Sequence, residues 1–439
     1  MRHELNPAFA SEYNYVSFPA LGDLNIGAMS NVGVNTFLYK MPGGQLTTFM
    51  NKSVSADEFL GKLSNHNKVT FNTDVTILAA GFKAFKGYNT INIGVRADAG
   101  VTMPKGLFEF MKLGQTGPDT EYNFKDLTVK ANAMAEVALG HSHTINERLD
   151  VGAKVKVLLG VGNVHGKITD MRVRMSDTQW AITANGEMNI AAGNGLEFPT
   201  KQESGKEYDD PSEATEVDWD NINYDSFGLG GFGLGFDLGA TYKLLPELTL
   251  SLAVRDLGFM NWNHNYKAAT PGKEWSFGGF SEIALDSDQP NYEDNKIGQQ
   301  FDDLWDDMQD MVNFHREDVR GSRLTALSAT LHIGAEYVMP FYKGLTGGFL
   351  FTHQFNGPFS WTEGRFSANV KPAKWFDATI NYGASTFGSS LGWMLNFHPR
   401  GFNFFVGTDH QFFKVTPQFI PVGHASAALN MGINFTFGS

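Results

Sequence analysis

The thirteen residues from Ala425 to Phe437 alternate without a slip. Ala427, Leu429, Met431, Ile433, Phe435 and Phe437 share one face of an extended chain. Ala428, Asn430, Gly432, Asn434 and Thr436 share the other, because successive side chains of a strand point to opposite faces. A strand of a soluble sandwich presents the same alternation. Recurrence along the chain, and an aromatic two residues from the C-terminus, turn the reading toward a transmembrane barrel.

The pattern returns from about residue 67 onward. Ile91, Ile93, Val95, Ala97 and Ala99 oppose Asn92, Gly94, Arg96, Asp98 and Gly100. Leu127 to Leu139, Leu149 to Leu159, Leu248 to Val254, Leu327 to Tyr337 and Phe376 to Tyr382 repeat it. The polar faces are mostly Gly, Asn, Thr and Ser, which suit a crowded or wet lumen better than a soluble surface rich in Lys and Glu. No apolar run of about 18 residues exists to form a membrane helix. A closed barrel is the other structure that pairs every backbone polar group inside a bilayer.

Connection lengths give a second line of argument. Short connections are expected at 86–88, 146–148, 245–247, 341–344, 371–374 and 399–401, and long ones near 103–124, 192–225, 265–321 and 410–424. With the C-terminus on the periplasmic side, every short turn falls there and every long loop falls outside. Candidate strands number sixteen, one of them near 24–34, or fourteen if the hairpin of Ile168–Arg174 with Trp180–Ile190 projects from the wall. The fold class expected is therefore all-β: a transmembrane antiparallel β-barrel of 14 strands, alternatively 16, over residues 67–439.

Residues 1–66 are punctuated by Asn6-Pro7-Ala8, Phe18-Pro19-Ala20 and Met41-Pro42-Gly43-Gly44, with a short helix expected at Ala56 to Leu63. Their apolar content suggests an N-terminal plug within the lumen. Met1 to Leu5 contains no apolar signal segment, so an outer-membrane location takes this chain as a mature form.

Charge and composition narrow the chemistry. Net charge is −13, yet Glu197–Asp225 and Asp286–Arg320 carry −8 each, which leaves the remaining residues at +3. Acidity therefore belongs to two long loops, and nucleic acid, which needs a basic surface, is not an expected partner. Cys is absent, which rules out disulfides and thiolate chemistry. Phe301, Leu304, Trp305, Met308, Met311 and Val312 fall on one side of a helix, with Asp302, Asp303, Asp306, Asp307 and Asp310 opposite. That helix reads as a lid folded over the barrel mouth or as a dock for a partner protein. Asp286, Asp288, Glu293 and Asp294 are the weak candidates for Ca²⁺, lacking the central Gly and terminal Glu of an EF-hand. His141 and His143 have no evident third metal ligand. Gly228 to Gly235 alternates with Phe and Leu and precedes no helix, so it is a strand face rather than a phosphate cradle. No enzyme activity and no cofactor are expected. Lys130, Glu136, Lys154 and Lys156 face the lumen and are expected to pair with one another or with the plug.

Asn6-Pro7-Ala8 followed by a plug-like segment and a strand series resembles the FadL-like outer-membrane barrels. Gly235 to Tyr242 with Leu248–Val254 and Asp256-Leu257-Gly258 resembles their Bacteroidetes branch, the PorV-type proteins and a family of similar length. So does Asn396 to Phe402 with the C-terminal strand. The resemblance implies a barrel of about fourteen strands with a lumenal hatch and uptake of hydrophobic small molecules. It also implies that Phe435 and Phe437 belong to the segment that barrel-assembly machinery reads. The long acidic insertions depart from that pattern. Two functions follow: a transport channel for hydrophobic or other small molecules, or a non-transporting scaffold whose loops bind outer-membrane or surface proteins. In both, outer-membrane lipid surrounds the wall.

Overall fold

The computed structural model describes residues 2–193, 196–201, 215–224, 228–280, 292, 296–317, 321–411 and 426–438. Alternation in the sequence becomes a closed antiparallel wall of 14 strands. The first half comprises β1 (Asn14–Ser17 continued by Leu24–Ser30), β2 (His66–Ala84), β3 (Gly87–Pro104), β4 (Thr128–Asn146), β5 (Leu149–Ser176), β6 (Gly231–Lys243) and β7 (Leu248–Ala269). The second comprises β8 (Thr330–Val338), β9 (Leu345–Gln354), β10 (Trp361–Ala373), β11 (Phe376–Ser385), β12 (Gly388–Phe397), β13 (Asn403–Gln411) and β14 (Ala427–Phe437). Each pairs with its chain neighbours, and β14 closes the ring on β1, with Asn14 opposite Phe437 and Leu24 opposite Met431.

Burial runs opposite to that of a soluble protein. Leu429, Phe435 and Phe437 of β14 are exposed, whereas Asn430 and Asn434 are buried. Ile380 and Tyr382 of β11 face out and Asn381 faces in. On β5, Val155 and Val157 are exposed, while Lys154 and Lys156 are buried. An apolar band outside and polar groups inside is the arrangement a bilayer selects. Among the described residues no helix is long and apolar enough to cross a membrane.

Both chain termini lie at one end of the wall, with the short turns. The tightest, Phe85-Lys86, has φ of 56° and 59° at its two central residues, the mirror-image geometry that matches strand twist. The long connections lie at the other end, called here the loop end. There β5 outruns the wall: Asn163–Met175 pairs with Trp180–Ala191. The Trp180–Thr183 portion pairs with Glu274–Phe277, and Asp119–Asn123 pairs with Arg172–Ser176. This sheet stands above the barrel, so the hairpin projects and the wall has fourteen strands rather than sixteen.

Residues 1–66, expected as a plug segment with one barrel strand near 24–34, divide into three. Residues 2–13 lie at the terminal end, 14–30 form β1, and 31–65 form a connection at the loop end. The reason is closure: β2 and β14 each need a partner on their free edge, and β1 supplies both. The 31–65 connection has its own small core, in which Val32, Phe49, Val54, Phe59 and Leu63 pack on Phe108 of the helix Lys105–Leu113. Its helix Ala56–Leu60 is shorter than expected and is capped by the Ser55 hydroxyl, which accepts from Glu58 N at 3.1 Å.

The inverted burial makes a direct prediction. Leu252 is 51% exposed on the outer face of β7, so Leu252→Arg should destabilise the barrel by about 2–4 kcal/mol, measured by urea-dependent folding into lipid vesicles. A water-facing wall would leave stability unchanged.

Candidate functional site

At the terminal end the chain's own first residues lie against the inner face of the wall. After a single helical turn, Arg2–Leu5, Asn6-Pro7-Ala8 makes a tight turn. Asn6 Oδ1 accepts from Ala8 N at 2.9 Å and Asn6 O from Phe9 N at 3.0 Å. Asn at the first position and Pro at the second favour such a turn. The Asn6 side chain, 2% exposed, then reaches the wall. Its Nδ2 donates to Ala240 O of β6 and Leu252 O of β7, both at 3.2 Å. Those two residues face each other across the β6–β7 pair.

Glycines make room for this approach. A Cβ on Gly239 would overlap the Asn6 side chain, and one on Gly152 would overlap the Pro7 carbonyl. Ser142 Oγ donates to Ala8 O at 3.0 Å. Glu4 supplies the charged contact: its carboxylate lies 3.0 Å from Lys154 Nζ and accepts from Asn92 Nδ2 at 3.3 Å. His3 Nε2 meets the Tyr15 hydroxyl at 2.6 Å with the rings stacked. The hydrogen bonds from residues 3–8 to the barrel wall given above each use a side chain on at least one partner, and none is a strand ladder.

Above this segment a belt of charge crosses five consecutive strands. Lys156 on β5 lies 2.9 Å from both Asp237 of β6 and Asp256 of β7. Arg96 on β3 lies 2.9 Å from Asp256 and 3.6 Å from Glu136 of β4. Lys156 and Asp237 are each 1% exposed at the side chain, where unpaired charge would cost several kcal/mol. A bulge builds the belt. The β6–β7 register shifts between Phe236–Leu257 and Leu238–Val254, and Asp256 takes φ 56°. Arg255 and Asp256 consequently both turn inward, and Asp256 N donates to Asp237 Oδ1 at 2.8 Å.

On the far wall, Arg365 of β10 holds both oxygens of Glu363 at 2.8 and 2.9 Å. It also bonds Asn381 of β11 and donates to Asp409 O of β13 at 2.8 Å. The charges of these two sets are thus neutralised locally.

The sequence-derived residues fall as follows. Asn6, Pro7 and Ala8 converge on the inner wall. Lys154 pairs with the N-terminal segment, whereas Lys156 and Glu136 pair with Asp237, Asp256 and Arg96. Lys130 donates to Asn356 Oδ1 at 2.6 Å. Arg96 and Asp237 follow from ordinary alternation as lumen-facing positions. Arg255 and Asp256 carry a different signal, a slip of parity: apolar positions are even through Val254 and odd from Leu257. His141 bonds Asn89, and its ring stacks on His143. At the loop end, the helix Ile297–Asp310 carries Leu304 and Met308 half-buried and Trp305 at 60% exposure. Met311, just beyond it, is buried and Val312 is exposed. Phe301 lies in the helix, and Asp286, Asp288, Glu293 and Asp294 lie outside the described residues. Phe435 and Phe437 face outward at the terminal rim.

A search of curated proteins finds no match to this sequence. Among solved structures, the toluene transporter TbuX of Ralstonia pickettii is similar at 10% identity and TM-score 0.43, over 98% of this chain and 91% of that one. The toluene transporter TodX of P. putida is similar at 8% identity and TM-score 0.42, over 99% and 92%. A FadL homologue of Pseudomonas aeruginosa is similar at 10% identity and TM-score 0.35, over 98% and 92%. The architecture given above rests on this chain's own strand pairing. A family of unknown function, DUF5723, matches residues 7–409, and the chain belongs to it.

The glycine cradle is testable. Gly152→Val places bulk where the Pro7 carbonyl sits and should expel residues 2–8, read as faster amide exchange there with the wall unchanged.

Proposed function

We propose that this member of DUF5723 is an outer-membrane transport channel for hydrophobic or other small molecules, with residues 2–13 as its lumenal closure. In this reading the terminal end faces the periplasm and the acidic connections face outward. One observation carries it: the lumen is occupied by a segment held through side-chain contacts, inside a wall held by continuous backbone pairing.

Magnitudes separate the two. A hydrogen bond contributes about 0.5–1.5 kcal/mol net. The bonds from Asn6, Ser142 and Asn92, with the Glu4–Lys154 pair, therefore sum to a few kcal/mol. Thermal motion or an arriving ligand can offset that. Opening the wall would instead leave many backbone groups unpaired in hydrocarbon, each costing several kcal/mol. The segment is the part that moves, and the barrel is the part that stays.

A second reading is supported by the Ile297–Asp310 helix. Trp305 presents an aromatic to solvent beside Asp302 and Asp303, a surface suited to a protein partner in an outer-membrane assembly. Under this alternative the barrel is a scaffold, and the lumenal segment is a permanent seal. Lumenal charges paired with one another favour either reading over catalysis.

Small-solute flux through proteoliposomes of the full chain distinguishes the two. The channel reading expects flux well above that of protein-free vesicles, because the segment leaves its seat. Flux equal to that of protein-free vesicles, rising only when residues 2–11 are deleted, would leave the scaffold with its permanent seal as the better account.

A further inference from the structure

The turns at the terminal end pair apolar and cationic side chains with unusual regularity. Phe85 precedes Lys86, Ile145 lies near Arg148, Phe341 and Tyr342 precede Lys343, and Lys374 precedes Trp375. The turn 244–247 adds Leu244 and Leu245 after Lys243, and 398–402 adds Arg400 and Phe402. Phe85 and Phe341 are 82% and 80% exposed, at turn tips beyond the last ladder pairs of their strands. Soluble turns bury or avoid such residues. Here the exposed outer-wall residues Leu139, Tyr242 and Tyr337 stand on the same strands a few positions from the turns.

The cations are equally distinctive. Lys86, Arg148, Lys243, Lys343, Lys374 and Arg400 are exposed, and among the described residues none lies within 4.0 Å of a carboxylate. Glu147 and Glu247 are the acids in these turns. At the opposite end the described acids include Asp220, Asp302, Asp303 and Asp307, all exposed. The barrel is therefore polarised, with cations beside aromatics at one rim and carboxylates at the other.

We propose that the terminal rim is a binding surface for anionic glycerophospholipid, with the aromatic tips immersed in the interfacial layer and the adjacent cations on lipid phosphates. Continuity with the lipid-facing wall is what assigns lipid, rather than protein, as the occupant. Aromatic rings favour the headgroup level, and Lys and Arg stems lie along apolar surface while their charges reach phosphate. Lipid headgroups at the rim would fix the height of the barrel and leave the acidic end projecting from the membrane. The surface is separate from the lumen, so its test is independent of transport.

Native mass spectrometry of the full chain, released from vesicles of equal phosphatidylglycerol and phosphatidylcholine, provides that test. The retained lipid should favour phosphatidylglycerol by about fivefold or more, the ratio that about 1 kcal/mol per contacting cation gives. Replacing Lys86, Arg148, Lys343, Lys374 and Arg400 by Ser should abolish the preference, whereas Lys86→Arg with Lys343→Arg and Lys374→Arg should keep it. If the Ser variant fails to fold, raising salt to about 1 M on the unaltered protein should erase the preference by screening. Equal retention of both lipids by the unaltered protein, or a preference that survives both charge removal and salt, overturns the proposal.

Discussion

Backbone pairing around a closed ring is the constraint from which the rest of this molecule follows. In hydrocarbon an unpaired amide or carbonyl costs several kcal/mol, so no strand edge can be left open. The seam between β14 and β1 shows how strictly this is met. Residues 18–23 interrupt β1, yet the seam stays bonded. Phe18 N donates to Ile433 O at 2.9 Å and Ile433 N to Leu21 O at 2.7 Å. On the other side Ala20 N reaches Ile77 O at 2.9 Å and Thr76 N reaches Asp23 O at 2.8 Å. Asn434 Nδ2 donates to Gly22 O at 3.2 Å, filling what the ladder leaves.

A wall facing lipid must send its polar residues inward, and that displacement creates the site. Lys154, Lys156, Asp237 and Asp256 meet in the lumen because none can face outward. Once inside they must be paired, since a buried ion without its counterion costs more than the pair gains. Most of the pairing is wall to wall. Lys154 and Glu336 are exceptions: Lys154 takes its carboxylate from Glu4 and Glu336 its guanidinium from Arg2, so two wall charges are satisfied by the N-terminal segment. Closure of the ring and occupation of the lumen are thereby linked. Residues 9–13 join the lumenal segment to β1, the strand that completes the ring, and tether any displaced segment near its seat.

Much of this was legible in the sequence, for a reason specific to barrels. One side of each strand meets lipid, so period-two alternation survives in β4, β11 and β14 with little noise, and the short and long connections sort onto opposite ends. What was not legible depends on pairing partners remote in sequence. A strand near 24–34 was legible, but Asn14–Ser17 was not, because Pro19 and residues 18–23 break the alternation between them. The place of Asn14–Ser17 in the wall emerges through β14, some 400 residues away. The inward turn of both Arg255 and Asp256 was hidden for a related reason. A one-residue slip in β7 changes which face is read, and its cause is the bulge opposite Asp237. Asn6-Pro7-Ala8 was visible as a motif, but Gly152 and Gly239, which receive it, were not distinguishable from many other wall glycines.

The central claim is that transport and the seating of residues 2–8 exclude one another. Because the chain has no native Cys, a single pair can be placed without background, at Ala8 and Ser142, whose backbone carbonyl and side chain already meet at 3.0 Å. The decisive measurement is small-solute flux through proteoliposomes carrying Ala8→Cys with Ser142→Cys, joined by a short cleavable thiol cross-linker. The account predicts no flux while the link is intact and restored flux once it is cleaved. Flux through the linked protein equal to that of the cleaved one would contradict it.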